Sequence, residues 1–250
     1  MSALRAPDLT PWNTRAMAQQ KATFVRDMFA AIAPRYDRAN RVLTAGIDEA
    51  WRRRAVAELA APQGGRVVDL CCGTGDLVFH LLRSDASLRV VGVDFTAPML
   101  DAARARAAHR DPDSRAAFVE GDVLRLPFED AAFDGATMGF SMRNVVDIDA
   151  TLREARRVLR PGARFVNLDV TKPAHPLVRR LFGVYFYGIV PLIGGLIAGS
   201  PTAYRYLPNS LTNFPDADAL AERFRAAGFS GVRYLRLGFG AIAVHVGVAP

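Results

Sequence analysis

The sequence predicts an α/β fold, a doubly wound seven-stranded sheet that is mostly parallel with an antiparallel last strand. Three observations carry this. From residue 66 onward, short apolar runs alternate with amphipathic stretches, the pattern of parallel βαβ units. The first run ends in the turn Gly73-Thr74-Gly75, which opens a helix where open α/β sheets place their ligands. The last two runs join around Gly238 and Gly240 as an antiparallel hairpin. A chain of 250 residues, half of them hydrophobic, suffices for one such domain with an appendage.

In order along the chain, residues 1–20 are polar and broken by prolines. They read as a flexible tail without the apolar centre of a signal peptide, which suggests a cytoplasmic protein. Residues 21–250 read as a single domain. Stretches 21–33 and 48–60 look helical, with Trp51, Ala55, Val56 and Leu59 on one stripe. The segment PRYDRANRVLTAGID between them reads as a linker. RVVDL is the first strand, 76–83 a helix, RVVGVD the second strand, and PMLDAARARAAH a helix opened by Pro98. AAFVEGD and AFDGATMG are the third and fourth strands. DIDATLREARRVL is a helix started by Asp147 or Asp149 and ended by Pro161-Gly162. ARFVNLDV is the fifth strand. Residues 173–210 break the rhythm as a helical insertion. A helix ending at Gly228 and the final hairpin follow.

The formal net charge is +7, which favours anionic partners. The arginines are dispersed, however, with Arg52-Arg53-Arg54 the densest cluster. No basic run alternates with aromatics, so nucleic acid is not an expected partner. Cys71 and Cys72 are the only cysteines; a disulfide framework is excluded and both read as small packing residues. No His or Cys spacing suits a metal. His245, inside an apolar strand, reads as a core histidine.

The chemistry concentrates at the glycine turn. A dinucleotide fingerprint needs a third glycine where this chain has Val78, which argues for a ligand without a pyrophosphate. Asp94 ends the second strand and suits the two hydroxyls of a ribose. Asp122 ends the third strand and suits an exocyclic amine. Asp69, within the first, can reach a cationic amino-acid tail. A glycine turn with acids on three successive strands fits S-adenosylmethionine.

DLCCGTGD, VDFTAPML, GDVLRLPF, GFSMRNVVD and RVLRPGARFVNLDVTKP together resemble the Rossmann-like class I S-adenosylmethionine-dependent methyltransferases. FAAIAPRYDRANRVLTAGID, MRNVVD and AYRYLPNSLTNFP narrow this to the ubiquinone/menaquinone biosynthesis C-methyltransferase family. The resemblance spans about residues 24–248. The chain departs from the family's pattern at Ala163, Ser200, Ala203 and Asn209. The resemblance adds Thr74, Val123 and Gly139 to Asp69, Gly73, Gly75, Asp94, Phe95 and Asp122 as candidate cofactor contacts. It implies a prenylated quinol acceptor, methylated on a ring carbon. Arg143 is the first catalytic candidate, to stabilise a phenolate or hold a water. Asn144 would orient the ring oxygen, and Asp37 is the alternative base. Tyr36, Asn40, Tyr185 and Tyr204 are candidate substrate contacts, with 21–60 acting as a lid. Two other readings stay open: a small-molecule methyltransferase of secondary metabolism, and a non-catalytic cofactor-binding partner.

The uncharged run LFGVYFYGIVPLIGGLIAG, residues 181–199, lies in the insertion. Its five glycines and Pro191 oppose a membrane span. It is expected to form a bent helix pair over the quinol pocket and, within 181–204, to touch the inner face of the plasma membrane. Arg179 and Arg180 would lie near anionic headgroups. The insertion is also the candidate surface for a homodimer.

Overall fold

The computed structural model describes residues 15–198 and 201–250. Three helices precede the sheet: α1 (Arg15–Ile32), α2 (Tyr36–Leu43) and α3 (Asp48–Leu59). Two expectations change here. Helix α1 takes in residues 15–20, which were assigned to the tail; residues 1–14 lie outside the described residues. The segment taken for a linker contains α2, set off from α1 by a short 3-10 turn over Ala33–Arg35 with a proline at its start.

The sheet has strand order β3-β2-β1-β4-β5-β7-β6. Strands β1 (Arg66–Leu70), β2 (Arg89–Asp94), β3 (Ala116–Glu120), β4 (Phe133–Gly139) and β5 (Leu159–Val170) are parallel. The hairpin of β6 (Ser230–Leu237) and β7 (Ile242–Val248) completes it, with β7 antiparallel to both β5 and β6. The order reverses between β1 and β4, so a crevice opens above their carboxyl ends. Every residue of β1 after Arg66 and of β2 after Arg89 is buried. Helices cover both faces, so these strands are apolar throughout rather than alternating. Asp69 and Asp94 are the acidic exceptions, close to the carboxyl edge.

Helix α4 (Asp76–Ser84) leaves the glycine turn, and α5 (Ala97–Arg110) follows β2 with Pro98 in its first turn. Helix α6 (Ile148–Arg157) is capped by Asp147, whose carboxylate accepts from the Ala150 N–H at 2.9 Å. It ends before Pro161-Gly162, and the chain between Leu159 and Arg164 bulges out of the β4–β5 ladder. Further along, α7 (Pro176–Gly183) runs through a π-helical turn, Val184–Ile189, into α8 (Val190–Ala198). Helix α9 (Pro201–Thr212) packs back on α8, giving the expected helix pair. Gly199 and Ser200 lie outside the described residues, as do the side chains of Ala203 and Tyr204. Helix α10 (Ala217–Ala226) is capped by Asp216, and its Phe224 stacks on Phe165 of β5 with centroids 5.4 Å apart. His245 is the core residue expected: its Nε2 lies 2.8 Å from the Ala217 carbonyl, and burial lowers its pKa to about 4.

One face of the insertion stays open. Leu177, Leu181, Val184 and Leu192 are 60% to 69% exposed. The segment Pro176–Gly195 is long and apolar enough to cross a membrane, by length and composition alone. Strand β5 before the insertion and β7 after it are neighbours in one sheet, so both ends of the insertion stay on one side.

Candidate active site

A cavity lies above the carboxyl ends of β1, β2 and β4. Its floor is the glycine turn, where Cys71, Gly73 and Gly75 have φ of +52°, +55° and +85°. Gly75 leads into α4, and a Cβ there would meet the Phe79 ring at 3.0 Å. A Cβ on Gly73 would meet nothing within 4 Å, so that backbone is open to a ligand. Gly139 also lines the cavity, and a Cβ on it would meet Leu77 at 2.7 Å. Burial raises both cysteine thiols well above their ordinary range, so neither is a nucleophile at neutral pH.

Asp69, Asp94 and Asp122 all line the cavity, Asp122 two residues beyond the end of β3 rather than within it. Asp94 is buried; one carboxylate oxygen accepts from the Gly73 N–H and the other from the Thr96 N–H, both at 2.9 Å. Asp69 is 1% exposed and accepts from the Thr137 hydroxyl at 2.7 Å. Burial raises its pKa to about 7. Asp122 is exposed at the rim and accepts from the Leu124 N–H at 2.9 Å. Phe95, Thr74 and Val123 complete the candidate cofactor wall.

Asp37 is not placed as a base. Its Oδ1 accepts from the Thr74 hydroxyl at 2.6 Å and its Oδ2 from Arg106 at 2.7 Å, and it does not line the cavity. Arg106 also donates to the Thr74 carbonyl at 2.8 Å and to Asp76 at 2.6 Å. Asp76 in turn pairs with Arg52 at 3.1 Å, and Arg52 pairs with Asp48. This ladder of charges straps α2 to the glycine turn, and Asp37 is its outer rung.

On the acceptor side, Tyr36 and Asn144 line the cavity. Burial raises the Tyr36 phenol, while the Arg143 charge and the Asn40 amide draw it back down. Asn40 itself is not in the wall. Asn144 is buried, and neither its Oδ1 nor its Nδ2 has a partner. Arg143 is set back in a buried ion pair: Nη1 donates to Asp169 and to the Phe140 carbonyl, the latter at 2.6 Å. Its charge reaches the site, but its guanidinium is not in the wall.

The insertion does not wall the cavity among the described residues. Helix α8 packs on α2 and α9, and Tyr185 donates its hydroxyl to the Leu43 carbonyl at the end of α2. Helix α1 takes that place, with Ala22, Val25 and Phe29 as the roof. The three-and-four spacing of those residues was the available signal. Arg52 was also missed; Asp48 four residues before it was the sign of a fixed side chain.

A seven-stranded sheet of this order, with an open glycine turn at the end of β1 and an acid ending β2, is the architecture of a class I methyltransferase that uses S-adenosylmethionine. The model of the ubiE/COQ5 methyltransferase family matches residues 16–249, and the chain belongs to that family. It is 47% identical over 223 residues to the demethylmenaquinone methyltransferase of Thermus thermophilus, covering 89% of this chain and all of that one. With the enzyme of the same name from Roseiflexus sp. it shares 45% over 229 residues, 92% of this chain and 94% of the relative. Among solved structures, a SAM-dependent methyltransferase from Thermotoga maritima superposes with a TM-score of 0.62 at 20% identity, over 90% of this chain and 99% of that one. Neither a secondary-metabolism enzyme nor a non-catalytic partner is favoured by these matches.

Asp69 gives the site a pH dependence with a defined sign. Its carboxyl is protonated below about pH 7 in the empty site, and a bound ammonium favours the carboxylate. Cofactor binding is therefore expected to tighten by about tenfold between roughly pH 6 and pH 7.5. Calorimetric titration at the two values measures it. Asp69→Asn should flatten the profile and weaken binding at the higher pH; an unchanged profile in that variant would remove the role given to Asp69.

Proposed function

We propose that this enzyme methylates a ring carbon of a prenylated quinol, with demethylmenaquinol as the acceptor. The observation that carries the reading is Asn144, a buried amide in the cavity wall with no partner at either end. Such a group costs stability unless a ligand satisfies it, and a ring hydroxyl offers both a donor and an acceptor. The names of the two curated relatives support the naphthoquinol.

The residues divide the work as follows. Asp94 and the Gly73 backbone hold the ribose end, Asp69 holds the cationic end, and Phe95, Asp122 and Val123 flank the base. When bound, S-adenosylmethionine supplies an electrophilic methyl group. Asn144 fixes the acceptor ring through one oxygen. Arg143, held by Asp169, places a positive field over the ring oxygens and favours their ionised form, which enriches the ring carbons in electrons. The ring gains one methyl and loses one proton. The α1 roof keeps water out during the transfer.

Incubation with S-adenosylmethionine and reduced demethylmenaquinone should raise the acceptor mass by one methyl. Asn144→Leu should lower kcat/KM about 100-fold with cofactor affinity kept. Wild-type protein that binds the cofactor but leaves the acceptor unchanged defeats the reading.

The exposed leucines of α7 and α8 fit the lipid surface that such an acceptor comes from, on the cytoplasmic side, with Arg179 and Arg180 facing anionic headgroups. Sedimentation with anionic vesicles is expected, and Leu177→Asp with Leu181→Asp should abolish it. Equal sedimentation of that variant would exclude this surface.

A further inference from the structure

We propose that the hydroxyl of Tyr206, on α9 of the insertion, is a second binding group for a ring oxygen of the acceptor. The inference rests on the quinol reading above and adds a residue to it. Tyr206 is 8% exposed, and its hydroxyl is buried with no hydrogen-bond partner. Buried tyrosines ordinarily place that hydroxyl on an acceptor or donor, so an orphan calls for a missing partner.

It is not an isolated orphan. Helix α9 packs against the Met142–Asn144 turn. On that turn the Arg143 Nε and both amide atoms of Asn144 are buried without partners. Four unsatisfied polar atoms thus come from two elements that pack on each other, α9 and this turn. Arg143 acts on both tyrosines of the region, drawing down the phenols of Tyr36 from the lid and Tyr206 from the insertion. Burial, the larger effect, raises the Tyr206 phenol to about 12, so it remains a neutral donor and acceptor at any working pH.

Tyr206 does not line the cavity as it stands. The ring of Phe24, on α1, lies against it with centroids 5.4 Å apart. Helix α1 is also the cavity roof, so the proposal includes a displacement of this helix that opens Tyr206 to the ring. A quinol carries two hydroxyls on opposite ring edges. Asn144 satisfies one, and Tyr206 is the group free to meet the other. The acceptor class that gains from this is a ring with two free hydroxyls, rather than a monohydroxy ring or its ether.

The test is Tyr206→Phe in the full chain, which removes one oxygen and keeps the ring. Steady-state kinetics with reduced demethylmenaquinone should show KM for the quinol raised about tenfold, with KM for S-adenosylmethionine unchanged. The melting temperature should hold or rise, because an unpaired buried hydroxyl has been removed. An unchanged quinol KM in an active variant overturns the proposal. So does a lower melting temperature with both KM values raised, since that marks a structural hydroxyl. Wild-type protein that fails to methylate the quinol would instead defeat the functional reading itself, which keeps the two failures apart. A second measurement uses the acceptor with one ring oxygen replaced by hydrogen: it should discriminate poorly between wild type and Tyr206→Phe, and a tenfold difference there would also count against the proposal.

Discussion

Asp169→Ala is expected to cost about 3–5 kcal/mol of stability and to abolish turnover. Asp169 and Arg143 form an ion pair whose side chains are 1% and 6% exposed. Removing the carboxylate leaves a guanidinium buried with only the Phe140 carbonyl for company. Water cannot take the place of the lost partner without opening the core between β5 and the turn after β4. A paired replacement separates the two roles. Asp169→Leu combined with Arg143→Met removes both charges and should recover most of the stability, because a well-packed apolar pair matches a buried ion pair. It should not recover methyl transfer. Chemical denaturation and the mass assay together decide: a double variant that still turns over would show that the Arg143 field is not used.

Asp94→Ala should bring cofactor binding below detection in calorimetry, a loss of at least about 100-fold. The carboxylate has three tasks at once. It accepts from Gly73 and from Thr96, tying the glycine turn to the start of α5, and it is the group proposed to hold the ribose. Its removal leaves two backbone N–H groups near the cavity floor without a partner, at about 1–3 kcal/mol each. The turn would lose the shape that brings Gly73 against the ligand. A drop in melting temperature is expected alongside the lost affinity. Retained affinity would mean that the turn holds its form through α4 alone.

The sheet was legible because strands covered on both sides must be apolar throughout, and RVVDL and RVVGVD show that without ambiguity. The acids stood out for the same reason: Asp69 and Asp94 interrupt runs that otherwise exclude charge. Two kinds of information were hidden. The first is pairing across long sequence distances. Nothing near Asp37 announces that Thr74 and Arg106 will consume its carboxylate. A free-standing acid beside a tyrosine looks like a base until those partners are in place. The second is the direction in which an almost wholly apolar helix faces. Residues 181–199 have no polar stripe to orient them, so the run read as a pocket wall. The fold packs part of it on α2 and α9 and leaves Leu181, Val184, Tyr187 and Leu192 exposed. The role went instead to α1, whose apolar spacing was visible but whose neighbours were not. Helix α2 was lost within the linker because its eight residues include only a few apolar ones, and its place is set by the proline turn before it and by contacts with α8.

The strand order also fixes a schedule for synthesis. Strand β6 leaves the ribosome before β7, yet β7 is its sole neighbour in the sheet, and β7 is also the strand that covers the outer edge of β5. Five parallel strands can therefore assemble while the nascent chain still carries β6 with nowhere to dock. For that interval β5 presents an open ladder edge, although Phe224 and Phe229, which stack on Phe165, have already been made. Strand β7 then covers β5 and gives β6 its partner in a single step. A premature stop between α10 and β7 would thus release a chain that has the cofactor turn and a sheet edge ready to pair with its neighbours.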